Sequence, residues 1–403
     1  MLRKALFFIN CIFLLVFSSI LFAQQNPGRA EDEIIIKYKK DVTSAEVEKI
    51  HKNLRTKIIR RIGKVNVHRV RIATGTKFDD ILKTYKRNPK IQYAEPNFKS
   101  KVFSVQATTP NDINFDKQWA IKKIEADRTW ILEKGQTNSI TVAIVDTGID
   151  INHEDLKDNT TTGYNFINDN NNTNDDNGHG TEVAGVIGAK GDNNKGIAGV
   201  NWYCKLMPIK VCDSSGEGTY FDLTQGIYYA ADNGAKVINI SLGGYAYSDI
   251  LKEAVDYAQS KGCIIIAAAG NDGTDSPVYP ASLDRVIGVA ATDNLDEVSN
   301  LSNFGGYIDL FAPGVEIFTT TFNGGYKYDS GSSIACAYVS GLVSLLISAG
   351  CSNKDEVQNI LFNTADYIQK DYYKSKYGYG RINAYRAIVN AKNQDNNDIA
   401  IMN

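Results

Sequence analysis

Past Ala23 this 403-residue chain contains no apolar run long enough to span a bilayer, so a multi-span membrane protein is excluded. Cysteine is scarce, six residues with none at CxxC spacing, which removes zinc-ribbon and thioredoxin-like redox chemistry. No GxGxxG or GxxxxGK motif follows an early strand-like run, which tells against a nucleotide-binding α/β protein. No repeat recurs at a spacing of roughly 20–50 residues, as a solenoid or propeller would require. Histidine is limited to four positions, and only His153 and His179 lie beyond residue 105. Any imidazole base in the larger part of the chain is therefore one of two residues.

What is present is ordinary in bulk, with 43% hydrophobic and 22% charged residues, and suits a soluble globular protein with a large core and a second, smaller unit. The net charge of −2 conceals an asymmetry. Residues 31–104 hold 19 Lys+Arg against 9 Asp+Glu, whereas residues 105–403 hold 22 against 37. Opposite charge on two units suggests mutual attraction, or simply two separately solvated surfaces. The acidic larger unit argues against nucleic acid as a partner. Met1 to Ala23 places Arg3 and Lys4 before the apolar run Ala5 to Val16 and reads as a secretory signal, the alternative being a buried or anchoring helix. Removal of that segment takes Cys11 with it and leaves Cys204, Cys212, Cys263, Cys336 and Cys351. An odd number predicts at least one thiol without a partner in the same molecule.

From Glu33 to Ala94 the pattern is strand, helix, strand, strand, helix, strand, with the first helix capped at Ser44, which suits a small ferredoxin-like α+β unit. Lys99 to Pro110 reads as an exposed linker. Beyond it, Ile140 to Val145, Leu206 to Val211, Val237 to Ile240, Ile264 to Ala269 and Val286 to Ala290 are short apolar runs, as expected for strands buried on both faces. Helical patterns at 180–188, 222–233, 250–261 and 334–349 intervene or follow, predicting a three-layer α/β domain around a parallel sheet. In such a sheet ligands gather at the carboxyl ends of the strands.

Several polar residues fall at those strand ends or at helix starts. Asp146 closes Val142-Ala143-Ile144-Val145, where a carboxylate is costly unless a partner such as an imidazole N–H holds it; a helix cap is the plainer role. His179 sits between glycines in Gly178-His179-Gly180-Thr181 and is the better base candidate, while His153 reads as structural. Ser333 lies just ahead of an apolar helix, where free N–H groups and the helix dipole favour negative charge beside its hydroxyl, although N-capping serines are commoner. No GxSxG surrounds it, which weighs against an α/β-hydrolase. Asn271, after Ala267-Ala268-Ala269-Gly270, offers an amide donor for an oxyanion or an ordinary turn.

Taken in order, these segments resemble the subtilisin family, above all its thermitase-like branch, over nearly all of residues 112–392. The resemblance rests on Asp146-Thr147-Gly148-Ile149-Asp150 with His153-Glu154-Asp155-Leu156, on Gly178-His179-Gly180-Thr181, Ser241-Leu242-Gly243-Gly244, Ala268-Ala269-Gly270-Asn271 and Ala312-Pro313-Gly314, and on the serine block. It implies a secreted serine endopeptidase of broad specificity working through an acyl-enzyme. Asp146 would orient His179, His179 would take the proton of Ser333, and Asn271 would hold the oxyanion. Ser241 to Gly243 would pair with substrate backbone, with Gly244 also binding substrate and Gly216 and Gly218 on the other side. Val278 would narrow the pocket for the residue preceding the cleaved bond.

Residues 31–104 resemble the subtilisin propeptide, including Tyr93-Ala94-Glu95-Pro96-Asn97, and would serve as intramolecular chaperone and temporary inhibitor removed by cleavage between Lys99 and Pro110. The peptidase domain would then run from 105 to 392, with 393–403 as a polar tail, and act as a monomer on protein and peptide substrates. Structural calcium is implied, with Asp112, Asp155 and Asn193 and the carbonyls of Lys190, Lys195 and Ile197 as oxygen ligands. A second calcium loop over Asn165 to Asn174 has asparagines where charged ligands would be. The serine block also departs from the family, with Ser332, Ile334, Cys336, Ala337 and Tyr338 in place of the usual Thr, Met, Thr or Ser, Pro and His. That departure motivates one competing reading, a catalytically silent binding protein on the same fold.

Overall fold

The computed structural model describes residues 29–99, 107–368 and 377–401. The signal reading over 1–23, with Cys11, and most of the linker lie outside the described residues. The chain divides into two units between Ser104 and Val105.

In the first unit β1 (Arg29–Tyr38), α1 (Ser44–Asn53), β2 (Thr56–Ile62), β3 (Val67–Ile72), α2 (Phe78–Arg87) and β4 (Ile91–Phe98) give the expected strand–helix order. The sheet order is β2-β3-β1-β4, antiparallel throughout. One face buries Ile34, Ile36, Tyr38, Val70 and Ile72 against Val47, Phe78, Ile81 and Tyr85. The cap of α1 is Thr43, one residue before the sequence placed it. Thr43 and Glu46 form a reciprocal capping box, which Ser44 could not make with a residue at the right spacing.

The second unit is built on seven parallel strands: β5 (Thr141–Asp146), β6 (Tyr164–Asn165), β7 (Lys205–Lys210), β8 (Val237–Ile240), β9 (Ile264–Ala268), β10 (Ile287–Thr292) and β11 (Leu310–Pro313), in the order β11-β10-β9-β8-β5-β7-β6. Successive side chains of one strand enter opposite apolar clusters. Val142 and Ile144 pack on one side with α6 (Ser332–Ser348), and Ala143 and Val145 on the other with α4 (Tyr220–Asp232) and α5 (Asp249–Ser260). Burial on both faces is why these strands read as unbroken apolar runs. The chain leaves β5 to build β6 and β7 on one side, then β8 on the other. The carboxyl end of β5 is thus the point where strand order reverses, a position that opens a crevice.

Several elements escaped the sequence reading: β6, β11, the hairpin of β12 (Ile317–Thr321) with β13 (Gly325–Asp329), and the late helix α7 (Lys354–Thr364). The final helix α8 (Ala384–Ile401) runs on through residues read as a polar tail. The linker reading also ends too late, since Thr108 N–H donates to Asp127 O (2.8 Å) and Pro110 is buried. Among the described residues no helix is long and apolar enough to cross a membrane.

Candidate active site

Asp146 is the last residue of β5 and only 1% exposed. Its Oδ1 accepts from the Thr147 N–H (2.7 Å) and from His179 Nδ1 (2.7 Å). His179 opens α3 (His179–Gly188) directly after Gly178, whose φ of 119° a residue with a side chain would resist. Gly180 is equally constrained, because a Cβ there would lie 2.1 Å from Gly148 O and 3.2 Å from Asp146 Oδ1. The glycines therefore let the helix start close over the strand end. The carboxylate fixes the proton on Nδ1 and leaves Nε2 as the basic nitrogen. Burial lowers the affinity of His179 for a second proton, but the charge and hydrogen bond of Asp146 outweigh it, with help from Glu182 and Asp329, and raise the ring to about 9.

Ser333 is the second residue of α6, not the residue ahead of it, because Ser332 already has helical pairing. The missing proline does not disturb the helix, which is unbroken to Ser348; Cys336 fits beneath it with Sγ 3.3 Å from Asn239 Oδ1. Ser333 Oγ donates to Ser241 O (3.0 Å) and Ser241 Oγ donates to Ser333 O (3.0 Å), which ties the helix start to the end of β8. No hydrogen bond joins Ser333 to His179 among the described residues. Asn271 is oriented by its Oδ1, which accepts from Ser332 N–H (2.8 Å). Its Nδ2 is thereby turned to the side of Gly331, where a Cβ would meet it at 3.2 Å. Ser332 is held in turn by both backbone groups of Gly270.

Beside Ser333 a cavity of about 210 Å³ is lined by Leu242, Gly243, Gly270, Asn271 and the buried Val278. Gly243 approaches Val278 so closely that a Cβ would lie 2.9 Å from its Cγ1. A second cavity of about 300 Å³ lies on the other side of Leu242 and Gly243, against Gly216, Gly218 and Tyr220. Leu242 and Gly243 thus form a wall between two recesses, with Ser241 lining the first. Gly244 also lines the first cavity; its N–H donates to Tyr279 O (3.0 Å) and its carbonyl accepts from Tyr279 N–H (2.8 Å). Both its backbone groups are used within the fold, so it anchors the edge rather than offering it.

The two carboxylates assigned to calcium do converge. Asp112 Oδ2 accepts from Asp192 N–H (2.7 Å), while Asp112 Oδ1 is buried with no hydrogen-bond partner. Asp155 accepts from Ile197 N–H (2.8 Å), Tyr326 OH (2.9 Å) and Asn193 Nδ2 (3.0 Å). Burial, with the charge of Asp155 adding to it, pushes Asp112 up to about 6. An orphaned buried carboxylate oxygen beside a second acid is a donor set that suits a hard cation. Lys190 N–H donates to Asp155 O, and Lys195 O accepts from Ile113 N–H (2.7 Å), which holds the loop to both acids. No group of three His, Cys, Asp or Glu converges among the described residues, as expected for a donor set with only two acids. The loop after Asn165 is closed by its own amides, with Asn165 Oδ1 accepting from Ile167 and Asn168 N–H and Asn165 Nδ2 donating to Asn172 O.

His153 is structural, its Nε2 bonded to Gly325 O (2.9 Å) and its Nδ1 accepting from Asp155 N–H. Cys204, Cys212, Cys263 and Cys336 are free and buried, and Cys351 is buried as well. Sequence reading missed the charged cluster of Glu182, Lys327 and Asp329 beside His179, since neither motif nor spacing marks it.

Comparison with known proteins places this geometry. Residues 137–380 match the subtilase family, and residues 22–97 match the fervidolysin N-terminal prodomain. The chain is 36% identical over 379 residues to a thermophilic serine proteinase of Bacillus sp. (strain AK1), covering 92% of this chain and 91% of that one. It is 40% identical over 281 residues to thermitase of Thermoactinomyces vulgaris, covering 70% of this chain and 99% of that one. Among solved structures, a protease from Pseudoalteromonas arctica superposes with a TM-score of 0.66 at 29% identity, covering 70% of this chain and all of that one.

Proposed function

Because the chain belongs to the subtilase family, in its thermitase-like branch, and is a serine-type endopeptidase with a prodomain, we propose that Asp146, His179 and Ser333 are its catalytic triad. The observation that carries this is the Asp146–His179 bond at the carboxyl edge of the sheet, with Ser333 and Asn271 on the neighbouring strand end and helix start. Asp146 keeps the Nδ1 proton in place, so Nε2 is free to take the hydroxyl proton of Ser333 once that hydroxyl leaves Ser241 O. The oxygen attacks the scissile carbonyl, and the developing oxyanion receives Asn271 Nδ2 and the Ser333 N–H at the helix start. The imidazolium protonates the departing amine. Water then resolves the acyl-enzyme by the same route in reverse.

An extended substrate adds as a strand between Ser241 to Gly243 and Gly216 to Gly218, reading backbone more than side chains, which supports broad specificity. The cavity against Val278 suits a medium apolar side chain. Residues 31–104 act as inhibitor and chaperone of the peptidase at 105–392, and Met1 to Ala23 directs export.

A fluorophosphonate probe labels wild type but not Ser333→Ala. Wild type also cleaves itself between Lys99 and Pro110, hydrolyses azocasein, and yields mature chain outside the cell, whereas Ser333→Ala stays full length. Labelling of both proteins, or of neither, overturns the assignment. The second outcome would favour a silent binding protein, the reading that the Ser333–Ser241 bond supports.

Calcium would be held by Asp112, Asp155, Asn193 and the carbonyls of Lys190, Lys195 and Ile197, where it offsets the two acids and ties three segments together. It supplies stability and takes no part in the proton transfers. At a hundredfold excess over its Kd it contributes about 2.7 kcal/mol, so chelation lowers Tm by several degrees. Asp112→Asn removes most of that calcium dependence. An unchanged Tm after chelation rules the site out.

A further inference from the structure

Glu182 lies one helical turn past His179 on α3, in the first turn, with its side chain only 4% exposed. Its Oε1 is 2.6 Å from Lys327 Nζ and would be 3.3 Å from a Cβ on Gly178. The carboxylate is therefore lodged against the backbone that carries His179. Asp329 follows Lys327 by two residues on β13 and so shares its face of the hairpin. Its charge adds to burial in raising the carboxyl of Glu182, and it helps to raise His179 as well. Thr319 and Thr320 of β12 donate to Glu182 O and Thr181 O and lock the hairpin to the helix. Hydrolysis as derived above makes no use of this cluster.

We propose that Glu182, Asp329 and Lys327 are positioning residues for the hydrolysis, a charged trio that governs how readily His179 takes up and releases its proton. The inference rests on His179 being the catalytic base. With Glu182 protonated the trio is neutral. Burial, then Asp329, raises the carboxyl of Glu182 above the ordinary carboxylate range against the pull of Lys327. Once that proton leaves, the trio carries one negative charge, which favours the imidazolium and raises the pH at which His179 becomes a base. The other charged groups facing this region are Asp146 on β5, Lys210 on β7, and Asp150, Asp175 and Asp176 on the intervening loop. Lys210 is tied to Asp176 and to Thr147 O, Asp175 to Thr147 and Thr181, and Asp150 to Thr181 and Gly324. β12 and α6 present no charged side chain here. These groups are the same in every variant and form a constant background.

The test is the pH profile of kcat/KM on an uncharged peptide substrate at low salt, for wild type, Glu182→Gln, Asp329→Asn and Lys327→Met. It is paired with an NMR titration of the His179 imidazole in the Ser333→Ala background. Each carboxamide moves the acid limb to lower pH by roughly half a unit to one unit, and Lys327→Met moves it upward, with the plateau changed less than about threefold. A role in packing alone would lower the plateau and leave the limb in place. Coincident limbs, or shifts of one sign in all three variants, overturn the proposal. If the imidazole titration shifts as described and no protein hydrolyses the peptide, the trio stands and the catalytic reading fails. If wild type hydrolyses and neither limb nor titration moves, the reverse holds.

Discussion

Asp146→Asn lowers kcat by about four orders of magnitude with the fold retained, the loss measured for this exchange in a serine-protease triad. Asp146 Oδ1 takes two hydrogen bonds, from Thr147 N–H and His179 Nδ1, while its Oδ2 is buried without a partner. An asparagine that keeps its oxygen on Thr147 and His179 strands a buried N–H₂ at the Oδ2 position. Turned round, it presents N–H to Nδ1 and forces the ring into the tautomer whose Nε2 carries the proton and cannot accept one from Ser333. Either arrangement also removes the charge that outweighs the burial of His179 and holds its affinity for the proton up. Single-turnover kinetics with an activated ester, alongside the melting curve, measures the effect. A loss under about tenfold with unchanged Tm would mean that Asp146 is a structural acid.

The first unit loses stability in mild acid. His51 is 4% exposed, with Nε2 2.9 Å from Tyr38 OH and Nδ1 within reach of Thr56 (2.9 Å) and Tyr85 OH (3.0 Å). Its ring stacks with the buried His68 at 6.1 Å between centroids, and His68 Nδ1 has no partner. Burial, with the charges of His68 and Arg61 adding to it, lowers His51 from 6.5 to about 4, and burial lowers His68 as well. The folded unit therefore keeps His51 neutral where the unfolded chain binds a proton. The stability this neutral state confers is complete above pH 6.5 and falls away as pH drops toward 4. At pH 5 the loss from His51 alone is about 2 kcal/mol. Below the ordinary carboxylate range Glu33 adds to the loss. Arg69 holds it at about 2, against its burial, with Asn97 and Arg71 helping, so its contribution fades as pH falls through that value. Hydrogen exchange on the full chain of Ser333→Ala, which cannot process itself, reads the effect as protection factors over residues 34–98. Protection drops about thirtyfold between pH 7 and pH 5 in this unit. His51→Gln flattens the dependence, and equal protection at both pH values would sink the idea.

The parts of this protein that were legible in its sequence are those set by local rules. Ile264 to Ala268 announces a strand buried on both faces because every residue of the run is apolar. Gly178 and Gly180 announce close approach around His179 because no other residue fits a φ of 119° or a 2.1 Å clearance. The same locality explains the misses. β6 spans two residues, too few for any period to register, and α1 is capped at Thr43 because the capping box counts from Glu46. The hairpin β12–β13 mixes exposed and buried positions over a few residues and reads as loop.

At the site, Asp146, His179, Asn271 and Ser333 became candidates through residue type at strand ends and helix starts, and the roles proposed for them came from the resemblance of the ordered segments to the subtilisin family. Their states did not. That Ser333 Oγ rests on Ser241 O, that Gly244 is spent on Tyr279, and that Asp112 keeps an unpartnered oxygen each depend on segments far apart in the chain. The charge around His179 is the clearest case. Glu182 reads as a helix-start acid and Lys327 and Asp329 as hairpin polar residues. Only their meeting across the packed hairpin brings their charges to bear on His179, because electrostatic coupling depends on distance and burial in space.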